Sequence, residues 1–586
     1  MKNMKTSVLL LINVLLASSA LAQPDMTARR DAILSFFRSI SDEHTFASVL
    51  ALAENRHDTT RAWEMLASMT STGITDIVER FRMTATYARL HNAMPDTLKQ
   101  RIEQIWATQP MRPGNSEHEA LARHTATLLT TTLFPTGAVW HTGKTREESE
   151  REALIFIDRW IRETSELGQR EFDSPTYGPI FLASMLLIRD YVPDSTLRYR
   201  AELMAHWLLA DFAHEHLNGA WAGAHSRENM FSAMHPVSSE MSAISWLYFG
   251  DGPEVYAREQ VIAALSDFLP LPEIVEIAIE RSAAFEAWES KRTAKVIRDN
   301  GYATEGRVVK YTYMDPLYAI GSIPGGLIQP REQHSWDVTW ISEDADKPGT
   351  LFLMQPFSDP PALTPFLPHS EELVLRTTSN IDPYYATVTK TVGGSPFEDV
   401  FQYRNTLIAL YDIEDISKFP VVTGFIPPGL KDMDVDTSRS GWITINTGDV
   451  YIALYPLQHF RLTTGDLGTQ FLSFEKRNGA IVQVSGRNAV GAYRSFVKRI
   501  RESRIDRSRF DSDNSIQYVT IFGDTLSMTF GGKRTVNGSD FLPPSENMLF
   551  SSPKLQSDIA SGMLRIMGKA GDVIIDMKRN EIRRTE

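Results

Sequence analysis

Two short loops hold most of the side chains able to move a proton or bind a charge. The first reads Glu171-Phe-Asp-Ser-Pro-Thr-Tyr177-Gly-Pro and the second Asn218-Gly-Ala-Trp221-Ala-Gly-Ala-His225-Ser-Arg227. Histidine exchanges a proton near neutral pH, and arginine offers a fixed fork to a carboxylate or sulfate. Two residues apart in extended chain, His225 and Arg227 can share one pocket. Ser-Pro-Thr-Tyr-Gly-Pro stiffens the backbone around Tyr177, either presenting its phenol at a loop edge or packing it as a structural tyrosine. Trp221 adds a sugar-sized apolar platform, and Glu171 lies in the same loop as Tyr177. Upstream, Asn115-Ser-Glu117-His118 heads an apolar run containing Leu121, Leu128 and Leu129. The unpaired N–H groups of a helix start there favour an anion such as a substrate carboxylate. The same residues, with Glu119, also suit an ordinary helix cap.

Later in the chain come Tyr311-Thr-Tyr313-Met-Asp-Pro-Leu-Tyr318 and Gln333-His334-Ser-Trp336. One of Tyr311, Tyr313 and Tyr318 could add a phenol to a site, and His334 and Trp336 fall on one face of an extended strand. Alternating aromatics describe a half-buried sheet face equally well. His206, His214 and His216 have no carboxylate at a convincing ligand spacing, so no metal site is expected there.

These residues need two kinds of scaffold. Before residue 298 the apolar spacing is helical: Leu98, Ile102 and Ile105 share a face, as do Leu154, Ile157 and Ile161, and Tyr199, Leu203 and Trp207. Pro95-Asp-Thr and Pro193-Asp-Ser-Thr mark helix starts. An unbroken series of such helices predicts an α/α toroid (an incomplete barrel) or a solenoid over residues 23–298. From 299 to 586 the period becomes two, with turns at Thr447-Gly-Asp449, Phe522-Gly-Asp-Thr525 and Lys569-Ala-Gly-Asp572. This predicts an antiparallel β-sandwich, hence a multidomain chain, helices first and strands after, with a cleft between the halves.

The start, Met-Lys-Asn-Met-Lys5, the apolar run Val8–Leu16 and Ala20-Leu-Ala22 have the form of a secretory signal peptide over residues 1–22, with cleavage between Ala22 and Gln23. The run is shorter than the about 20 residues a membrane-spanning helix needs. The expected location is therefore the periplasm or outside the cell, with no membrane insertion. The sequence has no cysteine, which removes disulfides, thiolate metal sites and a cysteine lipid anchor. A net charge of −13 disfavours a nucleic-acid partner. A polyanionic substrate would need a local basic cleft, for which Arg227, Lys310 and Arg331 are the candidates. Walker, GxGxxG and HExxH motifs are absent.

With Asn115-Ser-Glu-His118, Ser174-Pro-Thr-Tyr177, Gly223-Ala-His225-Ser-Arg227, and Tyr313 through His334-Ser-Trp336, the chain resembles the heparinase II/III-like and alginate-lyase-like polysaccharide lyases. The resemblance implies an α/α toroid followed by antiparallel sheets, and cleavage of an acidic, uronate-containing polysaccharide by β-elimination. It implies Asn115 and Arg227 as the clamp that neutralises the uronate carboxylate, His118 or His225 as base, and Tyr177 or Tyr313 as acid. Trp221, Glu171, Tyr318, His334 and Trp336 would then line the substrate. No cofactor is required, and a structural divalent cation is compatible with the family. One departure is plain: Ser116 and Glu117 separate Asn115 from His118, where related lyases set the two adjacent. The alternatives are a glycoside hydrolase on a similar scaffold, drawing on Glu117, Glu171, Asp173, Glu228 or Glu240, and a non-catalytic glycan-binding protein of the cell envelope.

Overall fold

The computed structural model describes residues 25–54, 57–112, 116–298, 302–328, 332–342, 349–357, 390–415, 417–436, 440–569 and 571–585. The signal-peptide segment, Asn115 and Arg331 lie outside these residues.

Helices fill the chain from Met26 to Ile279. Their starts follow the capping chemistry in the sequence. Asp194 accepts the Thr196 and Leu197 N–H groups ahead of Ser195–His214, and Thr145 with Glu148 forms a capping box ahead of Arg146–Leu167. That second helix buries Ala153, Ile157, Trp160, Ile161 and Thr164, the 3.6-residue stripe of an amphipathic helix. Helix Phe46–Ala53 packs on Ile77–Leu90, Ile77–Leu90 on Glu117–Leu133, and Glu117–Leu133 on Gly178–Tyr191. Gly178–Tyr191 packs on Arg258–Leu265, which returns to Phe46–Ala53.

Among the described residues, one pair of strands interrupts the helical series. A hairpin pairs His216–Leu217 with Ala220–Trp221 across Asn218-Gly219, both at positive φ (50° and 96°), the arrangement that suits a two-residue turn. The change to strands also comes earlier than residue 299. The last helix of the series, Pro272–Ile279, ends before strand Phe285–Arg298, which pairs antiparallel with Tyr302–Met314.

The strand region is antiparallel and deeper than a two-sheet sandwich. Among the described residues it holds a thirteen-stranded, a seven-stranded and a five-stranded sheet. One apolar layer lies between the first two, with Trp336, Val338, Leu351 and Leu353 facing Leu407, Ala409, Ile443 and Ile452. A second joins the outer face of the seven-stranded sheet, through Ile408, Leu410 and Ile481, to the five-stranded sheet and the helix Tyr493–Glu502. The expected hairpins form around residues 447–449 and 520–524, and strand Met563–Gly568 pairs antiparallel with Gly571–Asp576. The last strands return to the helices, so that Leu549, Phe550, Leu555, Leu564, Ile566 and Ile575 complete the core of the helical half. No described helix is long and apolar enough to cross a membrane.

Candidate active site at the junction of helices and sheet

Helix Glu117–Leu133 begins with a capping box: Ser116 Oγ accepts the Glu119 N–H (3.2 Å) and Glu119 Oε2 accepts the Ser116 N–H (3.2 Å). Its next free donor, the His118 N–H, is taken by Glu171 Oε2 at 3.0 Å. The anion at this helix start is therefore a side chain of the protein. Glu117 turns back to fix the loop that supplies it, accepting the Arg170 and Glu171 N–H groups (2.9 and 2.7 Å) and Trp160 Nε1 (2.9 Å).

The two loops singled out by sequence are laced together. Ser226 gives its N–H (3.1 Å) and its hydroxyl (2.9 Å) to the Phe172 carbonyl. Ser174 Oγ accepts the Tyr177 N–H (3.0 Å) and donates to the Arg227 carbonyl (2.9 Å). Tyr177 thus stands fixed at the start of helix Gly178–Tyr191, with Pro179 in its first turn. The second loop also pairs with the strand region. His225 and His334 exchange N–H···O bonds of 2.9 Å each, and the Glu228 N–H meets the Glu332 carbonyl at 2.8 Å. Gly223 makes this approach possible: a Cβ there would come within 3.0 Å of Thr312 Oγ1 and 3.3 Å of the Gly321 Cα. Arg227 is held at φ 54°, a left-handed conformation that costs a side-chain-bearing residue about 1–2 kcal/mol.

The result is a stack closed by a carboxylate. The His118 and Tyr177 rings lie 3.8 Å apart and nearly parallel (8°), and the Arg227 guanidinium sits 5.5 Å from the Tyr177 ring centre on a cation–π contact. Glu171 spans the stack. Its Oε2 accepts His118 Nδ1 at 2.7 Å, while its Oε1 faces Arg227 Nε at 3.3 Å. Glu332, from the strand region, faces Arg227 Nη1 at 3.0 Å. His118 and Glu171 are buried, whereas Tyr177, Arg227 and Glu332 are partly exposed.

Burial alone would raise the Glu171 carboxyl, but the facing His118 and Arg227 and the two bonds from His118 outweigh it and hold it at about 2. Tyr177 moves the other way: burial, then the Glu332 charge, raises its phenol, so it carries its proton at neutral pH. The arrangement presents an imidazole oriented by a carboxylate, a protonated phenol and a guanidinium within one stack.

Several sequence candidates sit elsewhere. Tyr313 is on the far face of its strand. Lys310 and Thr312 face the helices, while Tyr311 donates to Glu286 (2.8 Å) and accepts the Arg404 N–H (3.0 Å) on the opposite side, where Tyr313 packs beside Tyr318 at 6.2 Å. Tyr313 therefore does not meet Tyr177. Tyr318 and Trp336 are buried in the layer between the two larger sheets, and Trp221 is buried among the helices with Nε1 on Glu215 (3.3 Å). These large rings serve the core, where most of their area leaves water. His334 and Trp336 do not share a face. His334 sits in an isolated bridge with its ring edge on Phe352 (4.6 Å) and Nε2 3.6 Å from Asp337, and the regular strand begins only at Trp336. His225 is fully enclosed, and burial, then the Lys310 charge, drives its imidazole well below its usual range, leaving it neutral.

Sequence reasoning missed a buried charge cluster behind the stack. Lys291 Nζ contacts Asp173 (2.6 Å), Asp211 (2.9 Å) and Glu289; Lys310 Nζ contacts Asp173 (2.7 Å) and Glu215; His214 Nε2 lies 3.0 Å from Glu289. Lys310 is therefore not part of an open basic cleft. Asp211, His214 and Glu289, and likewise Asp173, Glu215 and Glu289, bring donor atoms close enough to hold a metal ion, but the two ammonium groups are the cations this cluster holds. The signal was present as Asp211, His214 and Glu215 at i, i+3 and i+4 at the end of one helix, and as Glu289 and Lys291 two residues apart on one face of a strand. His216 is structural: its Nδ1 meets the Ala278 carbonyl (2.9 Å), and its Nε2 accepts the Gly219 N–H (2.8 Å) within the small hairpin. Among the remaining carboxyls, Glu228 is buried against Ser232 and the Asn229 N–H and pushed up to about 8 by burial, and burial pushes Glu240 up to about 7.

No protein-family model matches the chain, and no curated protein matches it in sequence. Among solved structures it is similar to one described as a heparinase III gene product, with 9% identity and a TM-score of 0.36 over 85% of this chain and 83% of that one. That is a distant structural relationship, and the residue roles below rest on their own geometry.

Proposed function

We propose that the chain is an exported polysaccharide lyase that cleaves a uronate-containing polysaccharide by β-elimination, its helical half forming an incomplete α/α toroid. The observation that carries the reading is the stack of His118, Tyr177 and Arg227 closed by Glu171. The proton at C5 of a uronate becomes removable only when the adjacent carboxylate is neutralised, a role for Arg227. Glu171 fixes Nδ1 of His118 as a donor, so Nε2, which lies 3.4 Å from Ser116 Oγ, is the nitrogen assigned to take the C5 proton once it turns from that hydroxyl to the substrate. The C5 electron pair expels O4, and the Tyr177 phenol protonates the departing oxygen. Tyr177 carries its proton before substrate binds, which suits the acid and not the base. His225, enclosed, and Tyr313, across the sheet, take no part. The closed order of helix contacts supports the toroid, and Ala20-Leu-Ala22 supports export with Gln23 at the mature N-terminus.

One observation favours a second reading, a glycoside hydrolase. Arg227 already faces two carboxylates, Glu171 and Glu332, so a substrate carboxylate must displace one of them. In a hydrolase, Glu332 beside the protonated Tyr177 would be the solvent-facing carboxylate. Incubation with alginate, heparan, chondroitin, hyaluronan, glucuronan and ulvan separates the two. New ultraviolet absorbance from an unsaturated uronate supports the lyase, whereas reducing ends without that absorbance support the hydrolase.

A further inference from the structure

A concentration of positive charge lies far from the stack. Residues 487–509 contain eight Arg or Lys against two acidic residues, in a chain whose net charge is −13. Helix Tyr493–Glu502 buries Phe496 and Ile500 against the outer layer of the strand region and turns its other side to solvent. Arg494, Lys498 and Arg501 recur at i, i+4 and i+7, so they form one stripe about 10 Å long, comparable with a disaccharide. Arg499 flanks the stripe. Arg504 continues it onto Arg504–Asp506, the edge strand of the five-stranded sheet, and all five side chains are exposed.

Part of this charge is paired from within: Arg487 lies 3.7 Å from Asp449, and Arg509 pairs with Asp513. Arg501 is anchored by Asp434 and Asp436, both at 3.1 Å, and Lys498 lies 3.9 Å from Glu502 with both groups largely exposed. Among the described residues, Arg494 and Arg499 have no ion pair. Folding does not require these cations, because the helix is held by its apolar face, and their mutual repulsion is relieved by an external anion. The patch is separated from the candidate active site by the seven-stranded and thirteen-stranded sheets, so it does not position the reacting residues.

We propose that this face is a second, non-catalytic binding surface for an acidic polysaccharide, whose spaced carboxylates or sulfates pair with the Arg494, Lys498 and Arg499 side chains. The choice of polysaccharide as the polyanion rests on the glycan-cleaving reading of the stack; the cationic surface itself does not.

The test uses the full chain and the variant Arg494→Ser/Lys498→Ser/Arg499→Ser, which leaves Arg501 and its partners intact. Both are applied to immobilised heparin (sulfated) and immobilised alginate (carboxylated) and eluted with salt. The wild type is expected to be retained on at least one matrix, and the variant to bind about tenfold more weakly at fixed salt, with an unchanged melting curve and unchanged turnover of short oligosaccharides. The matrix that retains the protein tells sulfate from carboxylate recognition. Equal elution of variant and wild type overturns the proposal, as does failure of the wild type to bind either matrix. Displacement of the wild type by duplex DNA at lower concentration than by the soluble polysaccharide also overturns it, in favour of a nucleic acid. Retention is read without turnover, so an inactive wild type that still binds sinks the lyase reading alone, and an active one that does not bind sinks this one alone.

Discussion

Glu171 takes two hydrogen bonds from a single residue: its Oε2 accepts both the ring Nδ1 of His118, at 2.7 Å, and the His118 backbone N–H, at 3.0 Å. One carboxylate oxygen thereby orients the imidazole and satisfies the helix start that carries it, while the other oxygen faces Arg227. The catalytic proposal and part of the stability of the junction depend on the same group.

Glu171→Gln should lower turnover by about a hundredfold or more, because an amide no longer holds the imidazole with a negative charge. The same variant should change acid stability. The Glu171 carboxyl is depressed from 4.5 to about 2, so its contribution is complete above its unfolded value and is lost as pH falls through about 2. Melting curves between pH 6 and pH 2 should therefore fall less steeply for the variant than for the wild type.

Tyr177→Phe keeps the ring stacked on His118 and removes only the phenolic proton. Turnover should fall about a hundredfold, the usual scale for losing a general acid, with little change in melting temperature. Tyr313→Phe, across the sheet, should leave turnover close to wild type. Equal losses from both would show that the stack has been assigned wrongly.

Arg227→Met removes the cation between Glu171 and Glu332, whose distances to it are 3.3 and 3.0 Å, and the Arg227 side chain is only 14% exposed. Leaving two carboxylates facing each other without it should cost about 3 kcal/mol, measured by chemical denaturation. Arg227→Lys should recover part of that stability but little turnover, since an ammonium cannot make the fork that a planar carboxylate accepts.

The cluster around Lys291 predicts an alkaline decline. Burial, against the opposing pull of Lys291, raises the Asp211 carboxyl to about 8, and burial with the Glu289 charge raises Glu215 to about 7. A raised carboxyl means that the folded state binds more protons than the unfolded one. Stability from this source is therefore present below about pH 4 and is lost as pH rises toward 8. The wild type should melt lower at pH 9 than at pH 6. Asp211→Asn, which keeps an acceptor for Lys291, should narrow that difference, and an unchanged difference would rule the cluster out as its cause.

What could be read from the sequence was local. Pro95 and Asp194 mark helix starts, Thr447-Gly-Asp449 marks a hairpin, and the change of apolar period marks the passage from helices to strands, because each is decided by residues within a turn or two. The grouping of Tyr177 with Arg227 was legible as two loops rich in chemistry. The rest needed the tertiary structure. His118 and Glu171 are 53 residues apart, and Glu332 reaches Arg227 only because the Glu228 N–H pairs with the Glu332 carbonyl across the two halves. Periodicity tells which side of an element is buried, not what it is buried against, so Trp221, Tyr318 and Trp336 read as substrate-lining residues until packing placed them in cores. Lys310 looked like a free cation for the same reason: a charge inside a strand gives no sign of the carboxylates that await it, here Asp173 and Glu215 from the helical half. Local sequence determined the elements and the residues they carry. Long-range pairing, which alone fixes desolvation and the opposing charge, decided which of those residues meet and in what protonation state.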